Sequence, residues 1–79
     1  MIMNKDRRKR LEKVLNTLQD AMSELEYIKD EEQEAYDNLP ESLQESEKGE
    51  TIQEYADDID SVISDLDSVI SDLEDIVNR

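Results

Sequence analysis

The sequence predicts an all-α protein: an antiparallel two-helix hairpin of coiled-coil type that dimerises into a four-helix bundle. Three observations predict it: a strict 3-4 spacing of apolar residues in the second half, a looser copy in the first half, and a lone Pro and Gly between them. We interpret 1–79 as a single domain, with helix 1 over about 4–36, a turn with a short helix over about 37–50, and helix 2 over about 51–78.

The amino-acid composition excludes several kinds of functional site. The chain has no Cys, His, Trp or Phe, so a disulfide framework and the usual transition-metal sites are excluded. Charged residues make up 41% of it and the net charge is −14, a balance that by itself favours disorder. The regular apolar columns argue against disorder, because a disordered acidic chain does not keep such a register.

Helix 1 is predicted from apolar residues that alternate four and three apart. They are Leu11, Leu15, Leu18, Met22 and Leu25, with Val14, Ala21 and Ile28 in an adjacent column. Beyond Leu25 the heptad calls for Lys29 and Glu32. We expect the apolar side to drift instead to Ile28, then Ala35 or Tyr36, then Leu39, which is closer to an eleven-residue repeat.

The predicted turn is punctuated by Pro40 and Gly49. A proline disfavours helical conformation in the residue before it, so helix 1 is expected to stop by Leu39. Pro40 suits the first position of a short helix over about 40–47, which Gly49 would end. Thr51 followed by Glu54 is typical of a capping box and predicts the start of helix 2.

Helix 2 carries three apolar columns, each with a seven-residue period. Beside Ala56, this core or dimer stripe consists of Ile52, Tyr55, Ile59, Val62, Ile63, Leu66, Val69, Ile70, Leu73, Ile76 and Val77. Such a stripe is wider than one partner helix covers, and a two-helix hairpin has little core, so we predict a homodimer. The alternative fold is a parallel dimer of one long helix, which requires helix through Pro40 and Gly49.

Matching the columns of the two helices places Leu11 opposite Val77 and Met22 opposite Leu66. This register brings the basic stretch 5–13 beside Asp72, Glu74 and Asp75, and beside the negative end of helix 2. We therefore expect the basic stretch to pair with helix 2 rather than with phosphate.

Charge is distributed unevenly along the chain. Residues 1–29 carry a net charge of +2, residues 30–60 carry −12, and residues 61–79 carry −4. A hairpin with this sequence is acidic mainly at its turn, which disfavours nucleic acid and anionic membranes and favours a basic protein partner.

Catalytic and metal sites are not predicted. Asp57, Asp58 and Asp60 lack the spacing and glycine of an EF-hand loop, and the serines of helix 2 have no base to activate them. We expect a non-enzymatic protein without a cofactor. We also expect Tyr27 to be exposed, since it lies off the apolar columns.

The first residues do not resemble a signal peptide, because no apolar run follows the basic cluster Arg7–Arg10. No stretch approaches the length of apolar residues that a membrane span needs. The expected location is the cytoplasm of a bacterial host.

The segment 34–49, Ala-Tyr-Asp-Asn-Leu-Pro-Glu-Ser-Leu-Gln at its centre, resembles the turn motif of a family of short acidic two-helix proteins. These proteins occur in phages, prophages and gut bacteria and carry no established activity. The resemblance implies a mobile-element origin and an interaction role.

The leading hypothesis is an interaction protein whose acidic turn docks on a basic surface of a host or phage protein. Its sharper form is a mimic of DNA charge that inhibits a nucleic-acid-binding enzyme. The alternatives are a self-assembling spacer or virion component, and an antitoxin-like partner that folds on a basic toxin. The predicted partner-binding residues are Tyr36, Asp37, Asn38, Pro40, Glu41, Glu45 and Glu47.

Overall fold

Two long helices with a short one between them form the protein. In the computed structural model, which describes residues 4–79, α1 spans Lys5–Asp37, α2 spans Glu41–Gln44 and α3 spans Glu47–Val77. The described residues are 89% helical and contain no strand, which confirms the all-α class. The first three residues of the predicted amino-terminal stretch lie outside the described part.

Local signals fix the ends of α1. The Asn4 side chain accepts hydrogen bonds from the backbone N–H groups of Asp6, at 2.8 Å, and Arg7, at 3.3 Å, and so caps the first turn. The helix ends at Asp37, three residues before Pro40, which occupies the N-cap of α2. The predicted range of helix 1 thus agrees with α1 to within a residue.

The two long helices lie side by side, with the chain reversed between them. Arg8, in the first turns of α1, donates a hydrogen bond to the carbonyl of Val77, the last residue of α3. Lys29 and Asp60 meet nearer the connection, with Nζ 3.0 Å from Oδ1. The result is a rod of 60 × 16 × 12 Å with a radius of gyration of 17.9 Å. A compact chain of this length has a radius of gyration of about 12 Å.

The start of the second long helix was predicted four residues too late. Ser46 is the N-cap of α3, and the N–H of Glu50 donates to the Ser46 carbonyl at 3.0 Å. Thr51, predicted as a cap, lies inside the helix and donates its hydroxyl to the carbonyl of Glu47 at 2.9 Å. Two glutamates in the true first turn, Glu47 and Glu50, stabilise it against the helix dipole.

Gly49 does not end a helix, contrary to the sequence prediction. It is buried in the first turn of α3 and its φ is not positive. A Cβ built on it would lie 2.1 Å from the backbone oxygen of Gln44, the last residue of α2. The absence of a side chain is therefore what allows α2 and α3 to pack together.

The core between α1 and α3 is thin. Within residues 4–79, three apolar residues are buried, all on α3: Ala56, Ile70 and Val77, with 5%, 4% and 7% of their surface exposed. The other a and d positions of α3 are half-buried, as are Leu11, Leu15, Leu18, Met22 and Leu25 of α1. The a and d columns of the predicted stripe thus form the contact between the helices.

The predicted drift of α1 away from its heptad is wrong at Ile28, although Tyr36 and Leu39 are half-buried as the prediction allowed. Lys29 and Glu32 are half-buried at the heptad positions, whereas Ile28 and Ala35 are exposed. A Lys or Glu can occupy such a position because its alkyl stem covers the core while its charge reaches water or a partner. The heptad therefore continues along α1 as far as Tyr36, which is also half-buried.

Candidate functional site

The connection between the long helices is held by specific contacts. Gln44 donates its side-chain amide to the carbonyl of Tyr36 at 3.1 Å, which ties α2 to the end of α1. The Ser46 hydroxyl donates to the carbonyl of Leu43, and the backbone of Gln44 contacts Gly49. The turn is thus fixed against both helices, so side chains on it have defined positions.

Six of the seven predicted partner-binding residues are exposed on this turn. They are Asp37, Asn38, Pro40, Glu41, Glu45 and Glu47. Tyr36 is half-buried and its carbonyl accepts the bond from Gln44, so it supports the turn more than it presents a side chain. Of the other two tyrosines, Tyr27 is exposed as expected and Tyr55 is exposed as well.

Residues 30–60, called here the acidic end, form the most charged surface of the protein. They hold thirteen carboxylates and one Lys. All of the carboxylates except that of Glu32 belong to exposed residues. Because carboxylates outnumber cations so strongly here, the acidic end is a concentrated source of negative potential.

Lys29 lies at the border of the acidic end and contacts Asp60. The hydrogen bond to Asp60 is the main cause that raises the pKa of Lys29, and the negative charge of Asp60 is the second. The pair is exposed to solvent, so its contribution to folding is small. The pair shows which residues of α1 and α3 face each other at this level of the rod.

Replacing Lys29 with Met is expected to leave the melting temperature at pH 7 within about 3 °C of the wild type, because an exposed ion pair contributes little and the Met side chain covers the same core position. The pKa of Lys29 is raised in the folded state, so the stability from the pair is complete below the ordinary pKa of Lys and is lost as the pH rises through the folded-state pKa. Melting curves of both proteins between pH 7 and 11 test this. If the difference in melting temperature between the two proteins stays constant above pH 10, the predicted pH dependence is wrong.

The basic stretch 5–13 does not form the predicted ion pairs with Asp72, Glu74 and Asp75. Arg8 instead donates to the Val77 carbonyl at the negative end of α3, where a cation is favourable. Arg10 pairs with Asp6 of its own helix at 3.1 Å, and Asp75 pairs with Arg79 at 3.2 Å. The remaining cations of the stretch, Lys5, Arg7, Lys9 and Lys13, form no ion pair within residues 4–79.

One broad side of the helix pair is apolar and open. Its exposed members on α1 are Val14, Ala21 and Ile28, and those on α3 are Tyr55, Val62 and Val69. Every one of these residues directly precedes a heptad core position of its helix. Two antiparallel helices are related by an approximate twofold axis normal to their common plane, so equivalent columns lie on the same side of the pair. We call this side the apolar face.

The opposite side of the pair is polar. The residues that directly follow the d positions include Glu12, Gln19, Glu26 and Gln33 on α1, and Gln53, Asp60, Asp67 and Glu74 on α3. The apolar column of each helix was predicted from the sequence, but the position of both columns on one side of the pair was not. The signal was present, because both columns hold the same position relative to the core.

A catalytic or metal-binding constellation is not apparent in residues 4–79. No group of three or more acidic residues is arranged there to hold an ion, and no buried side-chain polar atom lacks a partner. Asp57, Asp58 and Asp60 are exposed on α3. None of the helices described is both long and apolar enough to cross a membrane.

Comparison with known proteins gives no family for the chain. No family model matches it, and neither a curated protein nor a solved structure is significantly similar to it. The resemblance of the turn motif to short phage proteins remains a prediction from the motif.

Proposed function

We propose that this protein is a non-enzymatic interaction protein that works as a helical hairpin and docks its acidic end on a basic surface of another protein. The observation that carries the proposal is the exposure of twelve carboxylates within residues 30–60. They lie on the adjoining ends of α1 and α3 and on the connection that Gln44 and Gly49 hold in place, so the charges reach a partner in a fixed arrangement. A fixed arrangement lowers the entropy lost on binding.

The density of charge favours a partner that binds nucleic acid. The acidic end carries a net charge of −12. Its helical part, residues 47–60 beside 30–37, extends over about 21 Å at 1.5 Å per residue. With the connection added, this is about one net charge per 2 Å, and duplex DNA carries one per about 1.7 Å. The acidic end thus matches the linear charge of about six or seven base pairs.

We therefore propose the DNA-mimic form as the sharper version of this function. A protein groove lined with Lys and Arg gains from releasing the counterions of a phosphate backbone, and closely spaced carboxylates offer a similar gain. The inhibited protein would be an enzyme or regulator of a host or a phage. The motif resemblance, with its implied mobile-element origin, supports the same class of partner.

Capture from bacterial lysate tests the proposal. Changing Glu41, Glu45 and Glu47 to Gln is expected to reduce recovery of basic partners at least about tenfold, since each lost charge–charge contact at a docking surface weakens binding. Duplex DNA added to the captured complex is expected to displace the protein if the mimic form is correct. Competition is measured by the release of the bound chain.

A matched control removes three carboxylates elsewhere on the protein. Changing Asp20 and Asp67 to Asn and Glu26 to Gln removes the same charge from exposed positions of α1 and α3 outside the acidic end. It is expected to leave capture largely unchanged. Equal loss with both variants would show that net charge alone attracts the partners. Circular dichroism checks folding, because Glu41 and Glu47 stand in first turns of helices and contribute to them.

The apolar face favours a second role, a self-assembling helical spacer or virion-associated component. A face with this many exposed apolar side chains in a small protein is typical of an interface. We propose on this ground a homodimer that forms a four-helix bundle. Self-association is compatible with docking, because the acidic end carries twelve exposed carboxylates and stays strongly negative beside the six cations of the basic stretch.

A further inference from the structure

We infer that the apolar face binds a second copy of this chain in antiparallel orientation, so that the basic stretch of each copy lies against the acidic end of the other. The inference rests on the self-association proposed above. It adds the surface, the direction and the register of the dimer.

The area of the surface fits a dimer. The chain exposes 6175 Å², and a compact monomer of 9.2 kDa exposes about 4,900 Å². The excess of about 1,250 Å² exceeds the roughly 800 Å² per partner that a stable interface buries. A second copy on the apolar face covers the exposed Val and Ile side chains and leaves each subunit with a surface close to that of a compact protein.

Charge selects the direction. In a parallel dimer the two acidic ends, each of net charge −12, lie side by side. In an antiparallel dimer each acidic end meets the basic stretch 5–13, which carries six cations and two carboxylates. Four of these cations, Lys5, Arg7, Lys9 and Lys13, form no ion pair within residues 4–79. Opposite charges across an interface fix its orientation and exclude the wrong one.

The apolar columns also set the register. A twofold axis at the middle of the α3 column passes close to Asp65 and places Val62 on Val69 of the partner subunit. The same axis places Ala21 of α1 on Ile28 of the partner subunit. Arg7, which continues the column of Val14, then lies beside the acidic connection of the other copy. Each contact occurs twice, as the symmetry of a twofold dimer demands.

This register of the dimer contains one unfavourable contact between like charges. Asp65 lies next to Asp65 of the partner subunit at the axis, and two like charges at close range oppose association. Removing this carboxylate is therefore expected to tighten the dimer. Each acidic end, taken together with the basic stretch of the other copy that faces it, still carries a net charge of about −8. The docking surface therefore stays acidic in the dimer.

The first test is the oligomeric state of the full chain by sedimentation equilibrium at tens of micromolar. The wild type is expected to be a dimer. Changing Val62 and Val69 to Glu places four carboxylates in the interface of that dimer and is expected to raise its dissociation constant at least about a hundredfold. The matched control changes Ser61 and Ser68 to Glu, which adds the same charge one position earlier, on the outer surface of α3. It is expected to remain a dimer.

The second test is the direction, read by disulfide formation, because the wild-type chain has no Cys. Cysteine needs Cα atoms about 4.4–6.8 Å apart to form a disulfide. Asp65→Cys is expected to link two copies covalently on mild oxidation. Asp58→Cys and Asp72→Cys are each expected to stay unlinked alone and to link to each other when the two proteins are mixed.

The outcomes separate the claims. A wild type that sediments as a monomer overturns both the self-association and its direction. A dimer in which Asp65→Cys does not link overturns the antiparallel register and leaves self-association standing. A dimer that persists in the Val62→Glu, Val69→Glu variant shows that another surface associates. Loss of basic partners from a charge variant of the acidic end that keeps the oligomeric state of the wild type bears on docking alone.

Discussion

Replacing Ile70 with Ala is expected to lower the free energy of unfolding by about 2–5 kcal/mol, the usual cost of truncating a buried Ile to Ala. Ile70 is the largest of the three buried apolar residues, with 4% of its surface exposed. The core of a protein with fewer than about 80 residues rarely supplies more than about 3–5 kcal/mol of stability. The loss in Ile70→Ala is therefore comparable to the whole free energy of unfolding. We expect Ile70→Ala to be largely unfolded at 37 °C. Loss of helical ellipticity at 222 nm on heating measures this.

The control for this prediction is the adjacent residue. Ser71 is exposed, and Ala has a higher helix propensity than Ser, so Ser71→Ala is expected to melt at the same temperature or slightly higher. Both variants are melted at several concentrations, since association adds stability that depends on concentration. An Ile70→Ala protein that melts within about 3 °C of the wild type would show that the contact between α1 and α3 does not carry the stability.

The burial of Ile70 is the kind of feature that the sequence can predict. Its column and that of Leu66 repeat without a break over α3. A 3-4 repeat of this length indicates an amphipathic helix that buries these two columns. The all-α class, the existence of two long helices and the side of α3 that faces α1 followed from this pattern. The ends of α1 followed from Asn4 and Pro40, which act through local backbone chemistry.

The course of α1 beyond Leu25 was not predicted correctly, and the reason is physical. If the core side followed only apolar residues, Ile28 would belong to it. The structure keeps the heptad and places Lys29 there, where its alkyl stem covers the core and its ammonium group contacts Asp60 of α3. A sequence pattern for one helix does not contain the partner that makes a charged residue acceptable.

The predicted partner-binding residues illustrate a different limit. Their position on an exposed turn could be inferred from Pro40 and from the charge of the segment. Tyr36 was included because it belongs to the motif, but its backbone contact with Gln44 gives it a role within the fold. Which protein the acidic end binds depends on the shape of a surface that this chain does not encode.

Gly49 was misinterpreted for a related reason, and it gives the second large prediction. Ala is usually about 1 kcal/mol better than Gly inside a helix, so Gly49→Ala would stabilise α3 if nothing lay nearby. Its Cβ would instead lie 2.1 Å from the Gln44 backbone oxygen, far inside contact distance. Because backbone atoms cannot rotate away as a side chain does, the connection must shift. We expect a net loss of about 1–3 kcal/mol, measured by urea denaturation.

A second substitution distinguishes close packing from a helix stop at Gly49. A helix-ending glycine has a positive φ, which Asn tolerates better than Ala, so a stop predicts that Gly49→Asn is the milder change. Close packing predicts the reverse, because the Asn side chain is larger and meets the same Gln44 backbone. We therefore expect Asn to destabilise the protein at least as much as Ala does. If Gly49→Asn is more stable than Gly49→Ala, the helix-stop interpretation is correct and α3 starts after Gly49.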